Sequence, residues 1–274
     1  MCNSPGELCV TILGCWSPYP VAGGACSGYL VKDGKTRVLL DCGNGVFSKL
    51  ADFADFNSLD AVVITHLHPD HYLDLFCLRH AVEYARKTGR RAGPLKLYLP
   101  GEPVEVFEQL KGFNKAFEIM KIGESGKDIR IGSFKVDFFP VKHTIPAYAV
   151  SFGQFNTAGI AEKTFVYSAD TGYFGGLVDF MTGAKLLLCE ASGLNCDIDY
   201  LGDFHLTAGQ AGWLAASAGV RSLVITHFFP EYDVEELFRQ SVGGWLEVVN
   251  DTPEIAVAEE GRTFRVSVPE GSGL

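Results

Sequence analysis

No apolar run in this chain approaches the roughly 18 residues that a membrane-spanning helix requires, so a membrane partner is not expected. The segment Met1-Cys2-Asn3-Ser4-Pro5-Gly6-Glu7 holds no basic stretch followed by an apolar core, so no secretory leader is read there. None of the 8 cysteines forms a C-x-x-C pair. Several sit inside apolar strand-like runs and read as small core residues of a reducing, cytoplasmic compartment, not as a disulfide framework. Positive charge is in the minority: 23 Lys and Arg face 33 Asp and Glu, a formal net charge of −10. A duplex-binding protein usually shows a basic stripe. The one compact cationic cluster, Arg86-Lys87-Thr88-Gly89-Arg90-Arg91, reads as a solvated helix end, where the dipole favours cations. Duplex nucleic acid is therefore not expected as a partner. No Pro/Ser-rich or charged linker divides the chain, so residues 1–274 are read as one domain.

What is present is a core-forming pattern. Hydrophobic residues make up 47% of the chain, enough for a large interior. Strands are expected over residues 8–13, 28–32, 37–41, 61–65 and 95–99, and helices over 46–56, 71–88 and 102–110. In the second half, residues 129–141 read as a hairpin turned at Gly132-Ser133. Strands follow at 147–152, 164–169, 185–190, 221–226, 254–258 and 263–268. Helices are expected at 207–218, between Thr207 as cap and Gly219, and at 234–246. Residues 118–127 are the least patterned and read as loop.

The most informative stretch is His66-Leu67-His68-Pro69-Asp70-His71, which directly follows the apolar run Asp60-Ala61-Val62-Val63-Ile64-Thr65. Four metal-binding side chains fall within it. His66 and His68 are two apart, so in an extended segment they point to the same side. Pro69 interrupts the extension, and Asp70 and His71 open a helix. Two ligands can then serve one metal while the next two serve a neighbour. A lone H-x-H would be weak; H-x-H-x-D-H after a strand is strong. Two echoes extend the pattern. Ala61-Val62-Val63-Ile64-Thr65-His66 parallels Ser222-Leu223-Val224-Ile225-Thr226-His227. Val38-Leu39-Leu40-Asp41-Cys42-Gly43 parallels Val166-Tyr167-Ser168-Ala169-Asp170-Thr171-Gly172. Each is an apolar strand ending in a metal-competent residue. His80 belongs to none of this and reads as a structural histidine.

With these motifs the chain resembles the metallo-β-lactamase-fold hydrolases, through His66, His68, Asp70 and His71 and then, in order, His143, Asp170 and His227. The resemblance runs from Leu8 to Val268. It implies an α/β (α+β) fold, a four-layer αββα sandwich with metals at one edge. It also implies roles: His66, His68 and His143 on one metal, Asp70, His71 and His227 on a second, and Asp170 bridging both. Five histidines and two carboxylates suit two divalent ions, Zn2+ first and Mn2+ as the other option. The flavodiiron branch typically replaces the second histidine with a carboxylate, and His68 departs from that.

Two further segments resemble ribonuclease Z and its phosphodiesterase relatives. They are Asp203-Phe204-His205-Leu206-Thr207-Ala208, a histidine before a Thr-capped helix, and Leu187-Leu188-Cys189-Glu190-Ala191, a glutamate at a strand end. The resemblance implies that Glu190 orients His205 and that His205 faces the scissile phosphate. Asp70 would accept or orient the proton of the attacking water, and Asp41 would stand behind a ligand histidine. Ribonuclease Z carries a long arm that clamps transfer RNA, whereas residues 144–169 here are filled by two strands and a turn. The expectation is a metal-dependent hydrolase, a dinuclear zinc phosphodiesterase on a small-molecule or short nucleotide substrate. The alternative is a lactone or thioester hydrolase on the same site. A non-catalytic binding protein on this fold would usually have lost ligands, and none is missing here. Family members often dimerise, so a homodimer is among the expectations, although no residue pattern marks an interface. Trp16, Tyr19 and Ser27 lie in a loop that either lines the pocket or packs the sandwich edge.

Overall fold

The computed structural model describes residues 7–123, 129–156 and 159–267. Its first half forms strands β1 (Glu7–Gly14), β2 (Gly28–Lys32), β3 (Arg37–Leu40), β4 (Ala61–Val63), β5 (Leu95–Leu99) and β6 (Phe117–Lys121). Helices α1 (Val46–Leu50), α2 (Pro69–Tyr72), α3 (Leu75–Lys87) and α4 (Val104–Lys111) lie between them. The second half forms β7 (Ile129–Ile131), β8 (Phe134–Val141), β9 (Ala147–Phe155), β10 (Ala161–Tyr167), β11 (Leu186–Glu190), β12 (Ser222–Thr226), β13 (Ile255–Val257) and β14 (Thr263–Ser267). Its helices are α5 (Gly176–Met181), α6 (Ile198–Leu201), α7 (Ala208–Ser217) and α8 (Val234–Leu246).

The strands form two mixed seven-stranded sheets, in the orders β14-β1-β2-β3-β4-β5-β6 and β13-β12-β11-β10-β9-β8-β7. The last strand, β14, crosses back to pair antiparallel with β1, Leu8 opposite Val266. Alternation along each strand builds the layers. Leu8, Val10, Ile12, Tyr29, Val31, Val38, Leu40 and Val63 face inward, packing with Phe134, Val136, Val150, Phe152 and Phe165 of the other sheet. The alternate residues Leu13, Leu30, Leu39, Val62 and Leu97 face outward, onto Val46, Leu75, Leu78, Val82 and Leu110 of α1, α3 and α4. Helices α5, α7 and α8 cover the second sheet through Leu177, Met181, Leu214 and Leu237. The result is the expected four-layer αββα sandwich. Among the described residues, no helix is long and apolar enough to cross a membrane.

Three local expectations need correction. The helix expected over 71–88 is two helices, because the Asp74 N–H bonds to Cys42 O at 3.0 Å instead of continuing the helical ladder, and its carboxylate accepts Phe47 N at 2.9 Å. The loop expected at 118–127 begins as strand β6, an edge strand set by parallel pairing of Leu95 with Phe117 through Leu99 with Lys121; residues 124–127 lie outside the described residues, as do Cys2 and Val268. The helix expected over 46–56 stops at Leu50. Cys15, Cys26, Cys42 and Cys189 are buried free thiols, as core residues should be. Cys9, by contrast, is disulfide-bonded.

Candidate metal centre

Strand ends deliver the functional side chains to one rim of the sandwich. β3 leads into Asp41, β4 leads into His66 and His68, β10 leads into Asp170, β11 ends at Glu190 and β12 leads into His227. Three non-glycine residues here, Asp41 (φ 57), Ala169 (φ 53) and His227 (φ 68), adopt left-handed backbone. Such strain costs on the order of 1–3 kcal/mol each and concentrates at functional sites. Close approach of the loops needs glycine at two points. A Cβ on Gly43 would lie 1.9 Å from Asp70 O, and one on Gly172 would lie 2.0 Å from Asp203 O.

The seven expected ligands converge. His66 Nε2 and His143 Nε2 stand 3.1 and 3.0 Å from His68 Nδ1. His71 Nε2 is 3.2 Å from His227 Nε2, and Asp70 Oδ2 lies 3.6 and 3.7 Å from these two nitrogens. Asp170 stands between the sets, Oδ2 at 3.5 Å from His66 and 3.0 Å from His227, Oδ1 at 3.4 Å from His71. His66, His68, His143 and Asp170 form one group whose donor atoms all lie within 4.8 Å of one another; Asp70, His71 and His227 form another. His205 joins Asp170 and His227 in a third such group.

The hydrogen bonds behind the cluster set the tautomers. His143 Nδ1 contacts the carbonyl of Phe204 at 2.9 Å, and a carbonyl only accepts, so the proton is on Nδ1. His71 Nδ1 donates to Asp41 Oδ2 at 2.8 Å. Thr65 spends its hydroxyl proton on Asp41 Oδ2, so its oxygen accepts from His66 Nδ1 at 3.1 Å. Ser192 likewise donates to Glu190 Oε2, so its oxygen accepts from His227 Nδ1 at 2.8 Å. In their neutral forms all four rings therefore turn Nε2 lone pairs into the cluster. Asp170 Oδ1 is buried with no hydrogen-bond partner among the described residues. Facing lone pairs and a buried carboxylate oxygen without a donor are costly arrangements, and cations satisfy them. The ionisation states differ between the rings. Burial opposes the charged form of His71 and His227, but Asp170, Asp70 and Asp41 raise His71 well above its ordinary pKa and Asp170 raises His227 to about 10, so a metal bound there would displace protons. Burial and the neighbouring His71, His143 and His68 hold His66 well below its ordinary pKa, favouring the neutral ring that binds metal. Burial opposes the Asp170 anion, but His227, His71 and His66 outweigh it and hold the carboxyl well below the usual range. The donor set, nitrogen and oxygen without sulfur, fits divalent metal ions.

Beside this cluster, Glu190 is fully buried and contacts His205 Nδ1 at 3.2 and 3.3 Å. Its carboxylate also accepts from Thr171 N at 2.6 Å and Leu206 N at 3.1 Å. Burial disfavours the charged imidazole of His205, yet the charge and hydrogen bond of Glu190 prevail and raise its pKa. Nδ1 belongs to Glu190, so Nε2 is the free nitrogen, on a side chain 28% exposed.

The alternatives left open for the N-terminal loop are resolved residue by residue. Trp16 bridges Cys26 and Phe228 and meets the Phe228 ring edge-on at 6.1 Å, packing the sandwich edge. Tyr19 is 46% exposed, against Phe229 and hydrogen-bonded to Glu231. Ser27 is buried and its hydroxyl finds no partner among the described residues. The loop residue that reaches the cluster is Ser17, whose hydroxyl donates to Asp70 Oδ2 at 3.0 Å. Sequence reading missed Ser17, Thr65 and Ser192. Thr65 had a signal, since a threonine also precedes His227 in the echoing strand; Ser17 had none.

Residues 36–228 match the beta-lactamase superfamily domain, and the chain belongs to that superfamily. Within it, this is a metallo-hydrolase of the ribonuclease Z-like branch. It is 31% identical to the probable metallo-hydrolase YhfI of Bacillus subtilis over 84% of this chain and 91% of that one. The crystal structure of YhfI aligns with a TM-score of 0.82 at 26% identity, covering 94% of this chain and 99% of YhfI. A ribonuclease Z of Nocardia farcinica is 26% identical, covering 81% of this chain and 88% of its own. The fold is also shared with a diphosphatase of the PhnP family, with a TM-score of 0.72 at 19% identity over 96% of this chain and 99% of that one.

Proposed function

We propose that this chain is a dinuclear zinc phosphodiesterase acting on a small phosphodiester, a cyclic nucleotide or the end of a short oligonucleotide. The observation that carries the reading is the Glu190–His205 pair beside the ligand cluster. A metal centre alone serves many hydrolyses; a carboxylate-held imidazole with a free Nε2 adds a proton donor for a poor alkoxide leaving group. The likeness to ribonuclease Z and to a PhnP-family diphosphatase supports phosphoryl chemistry. The short connections around β9 and β10 support a small substrate, because no transfer-RNA-clamping arm is housed there.

In this reading His66, His68 and His143 would hold one ion and Asp70, His71 and His227 would hold the other, with Asp170 standing between the two sets of ligands. When bound, the ions lower the pKa of water and neutralise the non-bridging phosphate oxygens. Asp70, steadied by Ser17, accepts the proton of the attacking water. His205 holds a proton at Nε2 and passes it to the departing oxygen. Glu190 keeps His205 cationic and fixes its ring. Asp41 and Thr65 hold His71 and His66 in the tautomers that binding needs.

The test is hydrolysis of bis-p-nitrophenyl phosphate by protein purified with zinc or manganese. Turnover is expected, and His205→Ala and Asp70→Ala should each abolish most of it. Full activity in both variants overturns the mechanism. A panel that cleaves lactones or thioesters and no phosphodiester would assign the same site to carbonyl substrates.

A further inference from the structure

A cavity of about 320 Å³ opens next to the His205 loop, and nothing in the mechanism uses it. Its walls include Tyr173, Trp213, Asn195, Gln210, Ile198 and Glu247. Tyr173 is 40% exposed and meets Trp213 edge-to-face at 5.7 Å, leaving an aromatic wall toward the opening. The two carboxamides are fixed. Asn195 Oδ1 accepts from Gly209 N at 2.9 Å, and Gln210 Oε1 accepts from Thr207 N at 3.0 Å. With each oxygen engaged, the amino ends are the free polar ends, and neither has a hydrogen-bond partner among the described residues. No lysine or arginine lines the cavity, so it is not built for phosphate. Two oriented neutral donors, an aromatic wall and one carboxylate at the rim match a planar heterocycle with ring-nitrogen acceptors and an exocyclic amine. The volume sits at the small end of ligand pockets.

The position ties this cavity to the metal centre. Thr207, also on its wall, is two residues beyond His205 along extended chain, about 7 Å. Tyr173 follows Asp170 by three residues, at most about 10 Å. That reach suits a nucleoside whose phosphate lies at the metals. Resting on the phosphodiesterase reading for its substrate, the inference is this: we propose that the cavity is the base subsite of the enzyme. It takes a purine ring against Tyr173 and Trp213, with the Asn195 and Gln210 amino groups donating to purine nitrogens. Glu247 accepts from the exocyclic amine.

The experiment uses two probes on the full, zinc-loaded chain: adenosine, which carries no phosphate, and a substrate pair. The pair is the dinucleotide ApA and methyl p-nitrophenyl phosphate, a phosphodiester without a base. Asn195→Asp and Gln210→Glu each keep an oxygen that accepts from Gly209 or Thr207 and exchange the amino donor for an anionic acceptor oxygen, so the helix start is preserved; adenosine is uncharged, so the added charge does not by itself repel it. Adenosine should bind the wild-type chain by calorimetry. In the double variant its Kd should rise at least about tenfold, equivalent to roughly 1.4 kcal/mol. The kcat/KM ratio of ApA to methyl p-nitrophenyl phosphate should fall by a similar factor through KM. Adenosine that fails to bind, or binds the double variant equally well, overturns the subsite even if phosphodiesters are cleaved. Adenosine that binds and weakens as expected, with no phosphodiester cleaved, upholds the purine cavity and overturns the phosphodiesterase reading instead.

Discussion

Replacing Ser192 by alanine should damage both the fold and the metal site, although Ser192 is an expected ligand of nothing. Its single hydroxyl stands between Glu190 and His227, donating to the first and accepting from the second at 2.8 Å. The residue is 6% exposed, so little water replaces the lost oxygen. A hydrogen bond to a charged group contributes about 1.5–3 kcal/mol, and a buried donor left without an acceptor costs about 1–3 kcal/mol. Glu190 keeps its bonds from Thr171 N and Leu206 N, which softens the first loss. A net destabilisation of roughly 2–4 kcal/mol follows, equivalent to a Tm lower by about 3–7 °C in a chain of this size. His227 loses the acceptor that holds its proton on Nδ1, so the metal-facing Nε2 is no longer fixed. Zinc affinity at one site should fall about 10- to 100-fold, read by competition with a chromophoric chelator. Ser192→Thr retains the hydroxyl and should recover most of both. If Ser192→Ala binds zinc as tightly as the wild type and melts at the same temperature, the tautomer argument is wrong.

Asp41→Ala removes the acceptor of His71 Nδ1, Thr65 N and the Thr65 hydroxyl at once; a loss of at least about 3 kcal/mol in chemical denaturation is expected. Unchanged stability would show that these bonds contribute nothing. Gly43→Ala places a Cβ 1.9 Å from Asp70 O, so the strand-end loop must move. Even this smallest side chain should cost about 1–3 kcal/mol and reduce metal content by elemental analysis. Wild-type protein prepared with zinc should carry two ions per chain; less than one would revive a non-catalytic role. Chelation should lower Tm, by the equivalent of about 2.7 kcal/mol per site where free metal stood at a hundred times its Kd. An identical melt with and without metal would count against a preformed site.

Much of the fold was legible because its signals are local. Period-two alternation in β1, β2, β3 and β4 separates the inter-sheet core from the helix side one residue at a time. Thr207 and Gln210 form the capping box that starts α7. Where partners lay far away in sequence, the reading failed. Asp74 breaks a continuous helical pattern because Cys42 and Phe47 compete for its backbone and side chain. β6 is strand because β5 offers it an edge, not because its own pattern demands it.

The sequence by itself determined that divalent metal chemistry was to be expected, because His66 to His71 form a complete local motif at a strand end. It also determined the superfamily, because His143, Asp170 and His227 follow in the right order. Only the tertiary structure decided which nitrogen of each ring faces inward, since that depends on Asp41, Phe204 and Ser192 arriving from other strands and loops, and on Asp41 taking the hydroxyl proton of Thr65 next to His66. It alone sent Trp16 to the sandwich edge and Ser17 to Asp70. It alone opened a cavity walled by Tyr173, Trp213 and Thr207. The physical reason is the same throughout. Propensity and periodicity are written in neighbouring residues, whereas hydrogen-bond direction and cavity shape are set by groups that meet only when the two sheets close.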